Sequence, residues 1–394
     1  MKRKRKVLVA LAVSLGLLAT MSPPASAVAT AITEPDQDAF YQAAPGYESK
    51  PPGTVLKKRP VTVTGLGIPL PVKAFQLQSR SADSKNRPVT VISTVIVPLT
   101  PYLGQRPLLS YQPATDSLGD QCNPSYTLRT GLEKELPLLA LGVAKGWAVV
   151  VTDYQGPRDA YGAGRMEGHA VLDGIRATLA SPEAGLTPTT KVGIWGYSGG
   201  ALATGWAAEL QPTYAPELNL VGVASGGTPA DLAAAGRQMD GGPFAGLFLA
   251  AANGVSREYP ELLSIFNAKG QQLIAAMDDL CVVEEALYAF HSVKQYSDST
   301  DPLAEPIAQQ VLTTNKMGAN APKAPVYLYH SKFDELIPWA VGKSLNDAWC
   351  AKGTKVAMYT DHASEHNVLA VTGAPAAVAY LSARFFGLKA PSTC

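Results

Sequence analysis

Ser198 lies in the pentapeptide Gly196-Tyr197-Ser198-Gly199-Gly200, a G-x-S-x-G pattern. A serine hydroxyl is a weak nucleophile unless a base takes its proton, and that base works only when a third group orients it. The apolar run Val192–Trp195 precedes the pentapeptide and an Ala-rich stretch follows it, which predicts a strand before the serine and a helix after it. On such a turn the serine is held in a strained conformation with its hydroxyl exposed, and the glycines on either side let strand and helix approach closely. The helix start also points backbone N–H groups at a developing oxyanion, with Gly199 as the expected donor. A bare pentapeptide is often only a Gly-rich turn. The strand before it and the helix after it select Ser198 as a nucleophile for acyl transfer.

The base must come from five histidines. His169 falls in a predicted helix and His291 in a mostly helical stretch. His330 ends a strand but precedes the acid candidates, which is the wrong chain order for a serine, acid, histidine arrangement. His362 and His366 both follow the strand ending near Tyr359, where a base belongs, and His366 is preferred. For the orienting acid, Asp334 lies on a loop just beyond the strand Val326–Tyr329 and before Pro338, with Glu335 and Asp361 as rivals.

The elements that must position these groups are short apolar, β-branched runs separated by helical patterns. The strands are predicted at Val89–Val97, Pro107–Tyr111, Ala148–Thr152, Val192–Trp195, Leu220–Ala224, Val326–Tyr329 and Val356–Tyr359. Continuous apolar strands alternating with helices predict an α/β fold with a mostly parallel sheet covered by helices on both faces. Val171, Leu172, Ile175 and Leu179 predict one amphipathic helix, with Glu167, Asp173 and Arg176 between them. Pro375, Val378, Leu381 and Phe385 predict the last, which Gly387 would stop. The strand rhythm lapses from 229 to 322, where Ala/Leu-rich helical sequence predicts an inserted cap over the carboxyl edge of the sheet. Its apolar residues Phe244, Leu247, Phe248, Leu249 and Phe266 are candidates for lining an acyl pocket, although such spacing more often means packing. The segment 28–59, rich in Pro, Gly and polar residues, predicts an extended N-terminal arm, leaving 60–228 and 323–394 as the two parts of the core.

The chain starts with a basic cluster, Lys2 to Lys6, then an apolar run from Val7 to Ala19 and the small-residue site Ala25-Ser26-Ala27. That tripartite pattern predicts a signal peptide over 1–27 and a secreted, extracellular product. The run is too short to span a bilayer, and no integral membrane segment is expected in the mature chain. Without those first cations the net charge of +1 becomes mildly acidic, and no Lys/Arg stripe appears later, which excludes a nucleic-acid partner. Cys122, Cys281, Cys350 and Cys394 are an even set in a chain bound for an oxidising compartment, so two disulfides are expected. Three pairings are open. The 46% apolar composition over 394 residues excludes disorder.

With these residues in hand, the chain resembles the secretory lipase family of α/β-hydrolases, which includes Candida lipase A-like and actinobacterial secreted lipases. The marks of the resemblance are Phe40-Tyr41 and Pro52-Gly53-Thr54, Tyr111 through Asp116-Ser117, Cys122-Asn123-Pro124-Ser125, and Asp153-Tyr154-Gln155-Gly156-Pro157. Further marks are Val171-Leu172-Asp173 with Ile175-Arg176-Ala177, Gly196 to Gly200, Asp334 with Ile337-Pro338, and Glu365-His366 before Thr372-Gly373-Ala374-Pro375. The resemblance implies a triad of Ser198, Asp334 and His366, a helical cap with a lid over an acyl-binding tunnel, and the pairings Cys122–Cys281 and Cys350–Cys394. It also implies that Asp116 completes an oxyanion hole with Gly199. A carboxylate cannot donate a hydrogen bond, so Asp116 would have to be protonated or use its backbone N–H; a turn-capping role is its alternative.

The expectation is a secreted serine lipase or carboxylesterase working through an acyl-enzyme, without metal or organic cofactor. Its partner would be an ester or lipid substrate, met at a lipid–water interface, and a monomer is the default. Acyl transfer to another acceptor is the rival within this chemistry. A non-catalytic secreted binding protein on the same fold is the rival outside it.

Overall fold

Alternation along the central strands explains the layering. Leu108, Val150, Ile194, Val223 and Leu328 belong to one buried cluster, while their neighbours Leu109, Val149, Trp195, Ala224 and Tyr329 belong to another. Successive side chains of a strand point to opposite faces, so strands apolar at every position must be covered twice. A computed structural model describes residues 32–394, and the signal segment 1–27 with its cleavage site lies outside the described residues.

Nine strands form one sheet: β1 (Val55–Val61), β2 (Val72–Ala82), β3 (Pro88–Pro98), β4 (Leu108–Gln112), β5 (Ala148–Thr152), β6 (Val192–Tyr197), β7 (Leu220–Gly226), β8 (Val326–Ser331) and β9 (Val356–Asp361). Their order is β1-β2-β3-β5-β4-β6-β7-β8-β9. The pairings from β5 to β9 are parallel, and β1, β2 and β3 add an antiparallel edge. The helices are α1 (Pro124–Thr130), α2 (Leu136–Ala144), α3 (Gly164–Leu179), α4 (Gly199–Tyr214), α5 (Leu232–Met239), α6 (Ala245–Glu258), α7 (Ala268–Met277), α8 (Pro306–Thr314), α9 (Trp339–Ala351), α10 (His366–Thr372) and α11 (Ala374–Phe385). One cluster joins the sheet to α3, α4 and α9 through Val171, Ile175, Leu202, Trp206 and Trp349. The other joins it to α1, α2 and α11 through Leu128, Leu139, Leu381 and Phe385. The mostly parallel sheet with helices on both faces is as the sequence predicts. Between β7 and β8 the regular helices α5 to α8 and short 3-10 turns form the helical insertion.

Two strands escape an apolar pattern. β2 reads Val-Lys-Ala-Phe-Gln-Leu-Gln-Ser-Arg-Ser-Ala, yet Gln76, Gln78, Ser79 and Ser81 are buried. Each glutamine finds partners: the Gln76 amide donates to the Ser125 carbonyl at 2.6 Å, and that of Gln78 to the carbonyls of Phe40 and Gln42 at 2.9 Å. Hydrogen-bonded polar side chains can be buried at little cost, so polarity here does not mean exposure. The same bonds fasten the N-terminal arm, with Ala44 N donating to Gln78 Oε1 at 3.0 Å and the Tyr41 and Ser125 hydroxyls 2.9 Å apart. The arm boundary at 59 falls inside β1, whose consecutive Lys57, Lys58 and Arg59 suit an edge strand.

Helix α3 also departs from the amphipathic reading: all of it except Arg165 and Arg176 is buried. Asp173 is tolerated there because Ser81 Oγ and Tyr214 OH each donate to it at 2.8 Å and Arg176 at 2.9 Å. Among the described residues no single helix is long and apolar enough to cross a membrane.

Candidate active site

The turn after β6 is built by close approach. Ser198 has φ 54° and ψ −125°, a conformation that non-glycine residues rarely adopt. It is held from both sides: Ser198 N donates to the Gly226 carbonyl at 2.9 Å, and its own carbonyl accepts from Ala201 N at 2.8 Å as α4 begins. A Cβ at Gly200 would sit 2.0 Å from the Gln112 carbonyl oxygen, and one at Gly199 would sit 1.7 Å from Asp116 Oδ1. Only hydrogen fits at either position.

Ser198, His366 and Asp334 come together although 168 residues separate the first two. The Ser198 Oγ to His366 Nε2 distance is 2.8 Å, and His366 Nδ1 lies 2.7 Å from Asp334 Oδ2. His366 opens α10, where Glu365 caps the helix by accepting from Val368 N and Asn367 N. Its backbone is held as well: His366 N donates to Glu335 Oε2 at 3.0 Å and its carbonyl accepts from Tyr197 OH at 2.7 Å. Asp334 Oδ1 accepts from Leu336 N and Ile337 N at 3.1 and 2.8 Å. Burial opposes the charge on Asp334, but hydrogen bonds from His330 and His366 outweigh it and hold the carboxyl well below the usual range.

The rival residues have other places. His362 is exposed, and Asp361 accepts from Ala363 N and Ser364 N in its own turn. Glu335 touches the backbone of His366 rather than its ring. His169 sits against the Asp83 carbonyl at 3.2 Å, where burial lowers it to about 4 and keeps it neutral. His291 Nδ1 lies 2.5 Å from Tyr296 OH.

Asp116 follows β4 with φ 48° and is buried, and its Oδ1 has no hydrogen-bond partner. Burial raises its pKa, opposed by the nearby Lys134 and His366, which favours a neutral carboxyl able to donate from O–H. The loop carrying it is pinned twice. Tyr154 OH accepts from Thr115 N at 3.1 Å and donates to the Pro113 carbonyl at 2.7 Å; Glu135 accepts from Ala114 N at 2.9 Å and from Tyr111 OH at 2.5 Å.

These groups open onto a cleft lined by Ser198, His366, Asp116, Tyr197, Phe244 and Leu247 among others. The five apolar candidates of the insertion do not share one pocket. Phe244 and Leu247 line this cleft, Phe248 and Phe266 line a separate small apolar cavity, and Leu249 is packed in the core. Disulfides join Cys122 to Cys281 and Cys350 to Cys394, with Cα–Cα distances of 5.6 and 5.4 Å. The first ties the loop after Asp116 to the insertion; the second ties the C-terminus to α9.

Three contributors were not legible as site residues. His330, set aside on chain order, places its ring Nε2 3.3 Å from Asp334 Oδ2, and its position four residues before Asp334 was the available signal. Tyr154 and Glu135 support Asp116 from loops, and nothing in their local spacing points there.

The family model described as secretory lipase matches residues 121–392. A probable inactive lipase of Mycobacterium tuberculosis is 37% identical over 90% of this chain and 83% of its own length. A secreted triacylglycerol lipase of Malassezia globosa is 35% identical over 91% and 83% respectively. The X-ray structure of Candida antarctica lipase A superposes with a TM-score of 0.86 at 30% identity, covering 93% of this chain and 89% of that one. At 18% identity the rice cell wall degrading esterase LipA from Xanthomonas oryzae shares the fold, with a TM-score of 0.70 over 86% of this chain and 100% of the other. The architecture is that of the lipase and esterase α/β-hydrolases.

Proposed function

Because this chain belongs to the secretory lipase family, we propose that it is a secreted serine hydrolase of lipid carboxylic esters, working through an acyl-enzyme. The observation that carries this reading is the continuous relay of Ser198 Oγ, His366 and Asp334 at 2.8 and 2.7 Å. Ser198 Oγ attacks the ester carbonyl while His366 Nε2 takes its proton. Asp334 holds the ring with Nδ1–H towards itself and stabilises the imidazolium that forms. The carbonyl oxygen becomes an anion beside the Gly199 N–H and the Asp116 carboxyl, both fixed before substrate arrives. His366 then returns its proton to the leaving alcohol, and water attacks the acyl-enzyme by the reverse path. Export rests on the N-terminal signal pattern, and relatives named as secreted lipases support it.

The Mycobacterium tuberculosis relative, named as a probable inactive lipase, favours a second reading, a non-catalytic secreted binding protein on the same fold. A p-nitrophenyl ester series from acetate to palmitate, run with emulsified triglyceride and with Ser198→Ala, separates the two. Hydrolysis lost in the variant by about 10⁴-fold or more supports the enzyme. Hydrolysis that persists in the variant, or none in the intact chain, overturns it.

A further inference from the structure

Two residues that line the Ser198 cleft have buried carboxyl oxygens without a partner: Asp116, already placed beside Gly199, and Glu285. Glu285 is 1% exposed, and neither of its side-chain oxygens has a hydrogen-bond partner. Its place is fixed by the backbone. It sits on the 3-10 turn Glu284–Tyr288, its N–H donating to the Cys281 carbonyl at 3.3 Å, directly after the Cys122–Cys281 disulfide. A Cβ at Gly246 would fall 1.9 Å from the Glu285 carbonyl oxygen, so α6 closes on the turn with no room to spare. The other carboxyl lining the cleft, the half-buried Glu135, already accepts from Tyr111 and Ala114. Among the described carboxyl groups that line the cleft, Glu285 is the one with neither a protein partner nor a role in the proposed ester chemistry.

Resting on the ester-hydrolase reading of this cleft, we infer that Glu285 is a specificity-determining residue that hydrogen-bonds a hydroxyl group carried by the substrate in addition to its scissile ester. A carboxyl group left unbonded in a buried wall costs stability unless a ligand group satisfies it. A hydroxyl matches it on both sides, donating to the carboxyl C=O and accepting from the carboxyl O–H. A cationic ligand does not, because it would need the carboxylate. Burial, with Asp116 alongside, pushes the Glu285 carboxyl up to about 9, against the pull of Lys134; Tyr161 is the other titratable group near it. The substrate class is thus a hydroxylated ester, with the hydroxyl on the alcohol part, as in a partial glyceride, or on the acyl chain, as in a hydroxyacyl ester.

The test compares glycerol monobutyrate with propyl butyrate, and ethyl 3-hydroxybutyrate with ethyl butyrate, for the intact protein, Glu285→Leu and Glu285→Gln. Active sites are counted by phosphonate titration, so that a poorly folded variant is not mistaken for a less selective one. The expected result is that the hydroxylated-to-plain ratio of kcat/KM falls about tenfold in Glu285→Leu, the worth of one lost hydrogen bond. Glu285→Gln, which keeps a donor and an acceptor, should retain most of the ratio. The pair that responds tells which part of the ester carries the hydroxyl. An unchanged ratio in Glu285→Leu for both pairs, with plain esters still hydrolysed in a Ser198-dependent way, overturns the inference alone. Absence of Ser198-dependent hydrolysis of every ester overturns the reading beneath it.

Discussion

His330 and His366 converge on one oxygen of Asp334, with His330 Nε2 at 3.3 Å and His366 Nδ1 at 2.7 Å. The His330 ring nitrogen also faces the Ile337 carbonyl at 3.0 Å, and its other side is closed by Gly342. Asp334, the acid of the proposed relay, is therefore itself held in place by a residue buried near the end of β8.

This predicts that His330→Phe lowers kcat/KM by about tenfold, because one hydrogen bond to the charged acid is lost. Asp334→Asn should cost far more, on the order of 10⁴-fold, by stabilising the wrong tautomer of His366. Steady-state kinetics checks both, and equal losses in the two variants would count against a supporting role for His330.

Asp116 should act as a neutral donor. Asp116→Leu is expected to lower kcat by about 10²-fold, the cost of removing one oxyanion donor, whereas Asp116→Asn keeps an N–H donor and should stay within about tenfold. Because burial raises the Asp116 pKa, its proton is held at pH values where an ordinary carboxyl has lost it, and activity should decline only as pH rises past that point. Asn has no such proton, so a pH–rate profile of Asp116→Asn should lack that alkaline decline.

Stability should fall as pH rises from about 4 to about 7. Burial pushes Glu135, Asp153 and Asp159 each up to about 7, against unfolded values near 4. Across that window the folded chain keeps protons that the unfolded chain releases, so raising pH favours unfolding. On the acid side Asp334, Asp83 and Asp38 have lowered pKa values, and the stability they contribute is lost as pH falls through and below about 4. Thermal melts at pH 5 and pH 8 should show the higher midpoint at pH 5, and Asp153→Asn with Asp159→Asn should narrow the gap.

The Cys350–Cys394 bridge closes a loop with a sequence separation of 44 residues. Loop-closure entropy assigns it roughly 4 kcal/mol, less any strain in the folded state. Cys394→Ser should lower the denaturant midpoint accordingly while kcat/KM at 25 °C stays within about twofold, since the bridge lies at α9 and β9 rather than at the cleft.

The local chemistry of this protein was legible in its residues. Ser198 stands in a pattern whose glycines have one steric use, and the strands around it are apolar at every position, which fixes a sheet covered on both faces. What stayed hidden was polar and long-range. Gln76 and Gln78 read as surface residues because composition cannot show that Ser125 and the arm supply their hydrogen bonds. Asp173 and Glu167 read as the outer face of α3 because only packing against α4 and β2 buries them. Phe244, Leu247, Phe248 and Phe266 were equal candidates for one acyl pocket, but the fold divides them between two cavities. The sequence alone pointed to the proposed nucleophile turn, to the sheet class and to a chain order that favours Asp334 and His366 without removing Glu335, Asp361 and His362, because these follow from local sterics and from a period of two. Tertiary structure alone decided that His330 braces the acid, that Asp116 meets Gly199 and that Glu285 faces the cleft. These contacts join segments that are neighbours only once the sheet and its helices have closed around them.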